Sequence, residues 1–227
     1  MSNTVSDQAA PAVPPRQRTT GAASPDVAAL YTRAGRRKYL NGDERRRLLA
    51  ALDGMQQHQA LFVRTLCWTG ARISEVLALR PDAFQLDRGI VTLRTLKRRR
   101  HSMREIPIPP DLISALDATF GIAAAQRGGD GADDLLWSWH RTTAWRIVKR
   151  AMATADLTGT PASPRGLRHA FGVGTLQAGV PIPLVQRWLG HSRMTTTAIY
   201  AAVVGPEELS FAQRFWHATG WADRRPD

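Results

Sequence analysis

The sequence predicts a mainly α fold with one small antiparallel β-sheet, an α+β arrangement, and three observations carry that prediction. From about residue 40 onward, apolar residues recur at helical spacing. Helix start and stop residues bound those stretches. Only around residues 89–108 does the period shorten to that of strands. A chain of 227 residues holds one full domain and can bury a sizeable core.

Residues 1–35, rich in Ala, Pro, Ser and Thr at their start, read as a disordered N-terminal tail. Order is expected to begin near Tyr39 and Leu40. Asn41 or Asp43 can cap a helix running through Leu48, Leu49 and Leu52 and ended by Gly54. A second helix carries Leu61, Phe62, Leu66 and Trp68 and closes at Thr69-Gly70, and Arg72 to Leu79 reads as a third, stopped by Pro81. Gly89 to Leu93 and Arg104 to Ile108 read as two strands joined by the basic turn from Lys97 to Ser102.

Helical patterning returns at 111–125, before the flexible run Gly128-Gly129-Asp130-Gly131. A helix from Thr142 or Thr143 to about Ala155 would bury Trp145, Val148 and Met152 and turn Arg146, Lys149 and Arg150 outward. Ser163-Pro164, an N-cap followed by Pro at the first helical position, opens a helix to about Ala178. Pro183 opens a short helix with Val185 and Leu189, capped by Gly190; Tyr200 falls on another, and 206–217 forms the last. Trp137, Trp139, Trp145 and Trp188 are expected in the core, although the first three also suit base stacking.

Charge narrows the function. Thirty-one Lys and Arg against 19 Asp and Glu leave a net charge of +12, and 28 of those cations are Arg. A surplus of that size points to a polyanion, above all nucleic acid, and Arg grips phosphate with a planar fork that Lys lacks. The single Cys67 excludes a disulfide framework and a Cys-rich zinc site, which suits a reducing cytoplasm. No run of 18 apolar residues is present, and the N-terminus lacks the apolar stretch of a signal peptide.

Four motifs then line up: Thr69-Gly70-Ala71-Arg72-Ile73-Ser74-Glu75; Lys97 in the basic turn; Arg165-Gly166-Leu167-Arg168-His169; and Leu189-Gly190-His191 followed nine residues later by Tyr200. Taken alone, Arg72 has a simpler reading, an ion pair with Glu75. Together, in this order and spacing, the motifs resemble the catalytic domain of tyrosine recombinases, the phage-integrase family. The resemblance implies that fold over residues 36–217, with 218–227 as a C-terminal tail. It implies a site-specific recombinase or integrase that breaks and rejoins double-stranded DNA through a 3′-phosphotyrosine link at Tyr200.

Under that resemblance Arg72, Arg168 and His191 stabilise charge on the phosphate, Lys97 protonates the departing 5′-oxygen, and Glu75 and His169 support them. No metal, ATP or other cofactor is required, because the bond energy is kept in the protein–DNA ester; the sequence carries no P-loop and no metal-type carboxylate cluster. Arg98, Arg99, Arg100, Arg104, Arg141, Arg146, Lys149 and Arg150 are candidate DNA contacts. One position departs from the family pattern. Where a His usually serves as proton acceptor, Arg165 stands, and arginine cannot act as a conventional base. Arg165 remains a candidate catalytic residue, able to donate to a phosphate oxygen and to lower the effective pKa of Tyr200, and His169 or His191 is left to handle the proton.

Family members usually carry a further N-terminal domain that completes a clamp on the duplex, and fewer than forty residues precede the fold here. The stripe Leu209, Ala212, Phe215 and Trp216 on 206–217 needs burial. It docks either on a neighbouring protomer, in a tetramer on synapsed DNA, or back on its own domain. The rival readings are a type IB topoisomerase-like activity and a DNA-binding regulator with an inactive recombinase fold.

Overall fold

A computed structural model describes residues 30–95, 102–191, 195–200 and 206–218. Leu30 is buried, and a bridge pairs Tyr31 with Arg37. Packed structure is therefore present inside the segment expected as tail, ahead of Leu40. Helix α1 (Gly42–Ala51) is opened by Asn41, whose side chain accepts from the Glu44 N–H while Glu44 accepts from the Asn41 N–H. This capping box satisfies two orphan donors at once. A single 3₁₀ turn, Leu52–Gly54, leads into α2 (Gln57–Thr69), most of whose second half is buried.

Helix α3 (Ile73–Val76) is a single turn, shorter than the stretch to Leu79 that the sequence suggests. A 3₁₀ turn at Pro81–Ala83 then delivers the chain to the sheet. The sheet has three antiparallel strands in the order β1 (Phe84–Gln85), β2 (Ile90–Thr95) and β3 (Ser102–Pro107). The register pairs Val91 with Ile106, Leu93 with Arg104 and Thr95 with Ser102. Val91, Leu93 and Thr95 face inward on β2, and Arg104 and Ile106 do so on β3.

The helical run expected at 111–125 divides at Gly121 into α4 (Pro110–Phe120) and α5 (Ile122–Gln126). Helix α6 (Arg141–Thr154) buries Ala144, Ile147, Val148, Ala151 and Met152. Trp145, expected on that face, is instead 47% exposed, one step around the helix from the buried stripe. Trp137 is fully buried, edge-on to Phe62 and Phe120, with its indole N–H donating to the His58 carbonyl at 2.9 Å. Trp139 packs edge-on against Phe62, and Trp188 is half-buried beside Phe171.

Helix α7 (Pro164–Gln177) starts where Ser163 accepts from the Gly166 N–H. Helix α8 (Ile182–Leu189) ends at Gly190, α9 (Thr195–Ala198) is one turn, and α10 (Pro206–Ala218) is the last element among the described residues. Tyr200 lies just past α9 and not on a helix of its own. The arrangement that matters for function is the packing of α7 against α2 and α8, with α8 also against β3. Among the described residues, no helix is long and apolar enough to cross a membrane.

Candidate functional site

Three chain turns meet at α7: the α2–α3 corner, the end of α8, and the segment carrying Tyr200. The α2–α3 corner is tight because Gly70 adopts a left-handed φ of 60° and lies against Phe171 and Leu189. A Cβ at Gly70 would come within 2.5 Å of the Phe171 ring, so only glycine fits both demands. Its carbonyl accepts from Arg168 Nη1 at 2.7 Å, while Arg168 Nη2 donates to the Leu189 carbonyl at 2.5 Å. Arg168 thus ties together the C-terminal ends of α2 and α8, where carbonyls lack helical partners and carry partial negative charge. Burial, joined by the nearby Arg72 charge, pushes Arg168 down to about 10, which leaves it a cation at neutral pH.

Arg72 caps α3 from the same corner. Its backbone N–H donates to Glu75 Oε2 at 2.9 Å and its Nη1 to Oε1 at 2.8 Å. The simple reading of Arg72 as an ion-pair partner of Glu75 therefore holds. The Glu75 side chain is 1% exposed, and it also receives Arg104 Nη2 at 2.6 Å. Burial works to raise its carboxyl, but Arg104 and then Arg72 outweigh it and hold the group below the usual carboxylate range.

Arg104 requires a correction. The sequence sets it among the DNA contacts, yet its side chain is 2% exposed. Its Nε donates to the Trp188 carbonyl at 2.7 Å and its Nη1 to Thr95 Oγ1 at 3.0 Å. With the Glu75 bond added, its fork is committed inward. The inward alternation of β3, Arg104 then Ile106, is the signal that separates it from the basic run before it. Lys149 is also engaged within the protein, its ammonium donating to the Ala162 carbonyl at 2.7 Å. Arg141, Arg146 and Arg150 are exposed. Lys97, Arg98, Arg99 and Arg100 lie outside the described residues.

Tyr200 is 3% exposed, its ring resting on α7 over Gly172. A Cβ there would come within 2.7 Å of the ring, so Gly172, which sequence reasoning missed, makes the seat. The Tyr200 hydroxyl lies 3.1 Å from His169 Nδ1, and His169 Nε2 accepts from Arg165 Nε at 3.1 Å. His191 stacks on the Tyr200 ring, 6.2 Å between centroids at 15°, and its Nδ1 is held 2.9 Å from Thr197 Oγ1. Thr197, buried and polar, is a second site residue that no sequence signal singles out.

Cations dominate the electrostatics around the two imidazoles and the phenol. Burial, then Arg165, Arg168 and Lys38, push His169 down to about 4. Burial, then Arg168 and Arg72, push His191 down to about 3, so both imidazoles are neutral at pH 7. Burial raises the Tyr200 phenol above its ordinary range, while Arg168, Arg165 and Arg72 draw it back. Among the described residues, no group of three His, Cys, Asp or Glu could hold a metal ion. What the cluster offers is a phenol oxygen, two neutral imidazoles and fixed guanidinium charge, a set suited to an anionic reacting centre.

The sequence pattern described as the phage integrase family matches residues 38–205. Tyrosine recombinase XerA of Thermococcus kodakarensis is 32% identical over 184 residues, covering 78% of this chain and 61% of that protein. An integrase/recombinase of Escherichia coli is 32% identical over 206 residues, covering 73% of this chain and 59% of its own. The chain thus spans about three-fifths of the length of these relatives. The catalytic domain of bacteriophage HP1 integrase superposes with a TM-score of 0.56 at 25% identity, covering 78% of this chain and 94% of that one. A crystal structure of XerA recombinase shares the fold at a TM-score of 0.65 and 23% identity, covering 78% and 64% of the two chains.

Proposed function

The chain belongs to the phage integrase family, and from that premise we propose that it is a site-specific DNA recombinase acting through a covalent 3′-phosphotyrosine link at Tyr200. The observation that carries the reading is the placement of the Tyr200 hydroxyl against His169, within the field of Arg168, Arg165 and Arg72. In this reading Arg72, Arg168 and His191 bind the non-bridging oxygens of the scissile phosphate. Arg168 and Arg72 are already oriented, by the Gly70 and Leu189 carbonyls and by Glu75, so little reorganisation is needed as charge develops. The Tyr200 oxygen attacks phosphorus, the bond to the 5′-oxygen breaks, and Lys97 supplies the proton to that oxygen. Reversal with a new 5′-hydroxyl rejoins the strands.

Double-stranded DNA is the partner, gripped through the exposed arginines of α6 and the basic run 97–100, and the domain extends from Leu30, ahead of the expected start at 36, to 217. A cytoplasmic location goes with that partner. Assembly into a tetramer on synapsed DNA would use α10, whose Phe215 and Trp216 are 65% and 40% exposed. The test is capture of covalent protein–DNA complexes on a randomised duplex library. Wild type should yield a protease-sensitive adduct and Tyr200→Phe none, with DNA affinity nearly unchanged because phosphate contacts dominate it. An adduct that survives in the Phe variant would overturn the assignment of Tyr200.

A further inference from the structure

We propose that Arg165 fixes His169 in the tautomer protonated on Nδ1, so that His169 serves the Tyr200 oxygen as a hydrogen-bond donor and not as its base. The proposal rests on Tyr200 as nucleophile and concerns the group beside it. A guanidinium Nε bears a hydrogen and has no lone pair to offer. At 3.1 Å from His169 Nε2 it is therefore the donor and Nε2 the acceptor. A neutral imidazole carries one N–H, which must then sit on Nδ1, 3.1 Å from the Tyr200 hydroxyl. The result is a chain of donors, guanidinium to imidazole to phenol oxygen, with the positive charge at its far end.

The neighbours support the neutral ring. Around His169 and Tyr200 stand Arg165 and Arg168 from α7, Lys38 from the segment before α1, Arg72 from the α2–α3 corner, and His191 stacked on the phenol. Burial first, and then the charges of Arg165, Arg168 and Lys38, push His169 down to about 4. Glu75, the carboxylate in this group, is held by Arg72 and Arg104. The step balances without a protein base. Solvent hydroxide takes the Tyr200 proton, giving water and a phenolate held by Nδ1–H. That oxygen bonds to phosphorus as the bond to the 5′-oxygen breaks, the latter protonated by the acid assigned to Lys97. On rejoining, the 5′-hydroxyl returns its proton to the group assigned to Lys97 as its oxygen bonds to phosphorus and the bond to the Tyr200 oxygen breaks. The same N–H receives the departing phenolate, water protonates it and gives back hydroxide, and His169 ends each half-reaction as it began.

The test reads the tautomer in the full chain by ¹⁵N-histidine NMR without DNA, and the pH profile of adduct formation on a duplex selected from the library. Wild type and Arg165→Lys, which keeps a donor, should show the proton on Nδ1. Their single-turnover adduct rate should rise about tenfold per pH unit between roughly pH 5.5 and 8, in proportion to hydroxide. Arg165→Met should move the proton to Nε2, leave Nδ1 as an acceptor and flatten the profile. A proton on Nε2 in wild type, or a flat wild-type profile, overturns the proposal. Should Tyr200→Phe still form adduct, the nucleophile assignment falls instead, and the NMR spectrum still decides the role of Arg165 independently.

Discussion

Helices α6 and α7 are each 14 residues long, and each carries several basic residues, yet they use them in opposite ways. On α6, Arg141, Arg146 and Arg150 are exposed, beside the exposed Trp145. On α7, Arg168 and His169 are buried and only Arg165 reaches the surface. The difference is set by what each helix packs against. Helix α7 faces the ends of α2 and α8, whose terminal carbonyls need donors, and a guanidinium supplies two in one plane. Helix α6 meets its neighbours through an apolar stripe, and it is Lys149 that donates to a carbonyl, that of Ala162, while its arginines stay exposed. Arginine is therefore a structural cap where helix ends converge and a solvent-facing cation where they do not.

The sharpest way to break that contrast is at the buried ion pair the α7 cluster leans on. Arg104→Met leaves Glu75 charged, buried and short of a partner, a change expected to cost about 3–5 kcal/mol. Urea denaturation midpoints should show it clearly, whereas Arg150→Gln on α6 should stay within about 0.5 kcal/mol. Equal small effects would mean that Arg104 is not the cap its geometry indicates.

A smaller effect is expected at Gly172. Alanine there puts a methyl 2.7 Å from the Tyr200 ring. Either the ring moves or α7 does, and overpacking of this kind costs about 1–3 kcal/mol. Because the ring is the partner that can give way, adduct formation should suffer more than the urea midpoint. Intact cleavage with lowered stability would place the strain in the helix instead.

These two positions also show where sequence reasoning reaches its limit. Capping chemistry is legible: Asn41, Ser163, Gly70 and Gly190 mark the observed helix ends, because those signals act within four residues. The spaced motifs locate the site for the same reason, each being a local string. Arg104 is misread because it follows a run of exposed-type cations, and only the register of β3 against β2 turns it inward. Gly172 and Thr197 escape notice because their roles exist only once Tyr200 and His191 are folded onto them. Helical spacing alone puts Trp145 in the core, but the apolar stripe of α6 is narrow and made of smaller residues.

The two imidazoles make the α7 side of the comparison sensitive to pH. Both are depressed in the fold, to about 4 for His169 and about 3 for His191, from an ordinary value of 6.5. Below pH 6.5 the unfolded chain takes up protons that the native state refuses, so stability is full above that value. It is lost as pH falls toward about 4 and then about 3. The urea midpoint should drop between roughly pH 7 and pH 4, and His169→Gln should make the drop shallower. A variant as pH-sensitive as wild type would shift the effect to other groups.

The smallest expected effect sharpens the α6 side. If its exposed arginines meet phosphates, each releases counterions, and the slope of log affinity against log salt falls by about 0.9 for every contact removed. Arg146→Gln and Arg150→Gln should each lower the slope by about that amount while leaving the urea midpoint nearly unchanged. Lys149→Met should behave differently, because its ammonium already donates to the Ala162 carbonyl at 2.7 Å. Its loss removes a hydrogen bond between α6 and the segment before α7, so the midpoint should fall while the salt slope changes little. Trp145→Ala offers a third signature, since a stacking contact carries no charge: affinity should weaken by the same factor at every salt concentration. Slopes unchanged in both arginine variants would remove α6 from the DNA interface and leave the basic run at 97–100 to carry it.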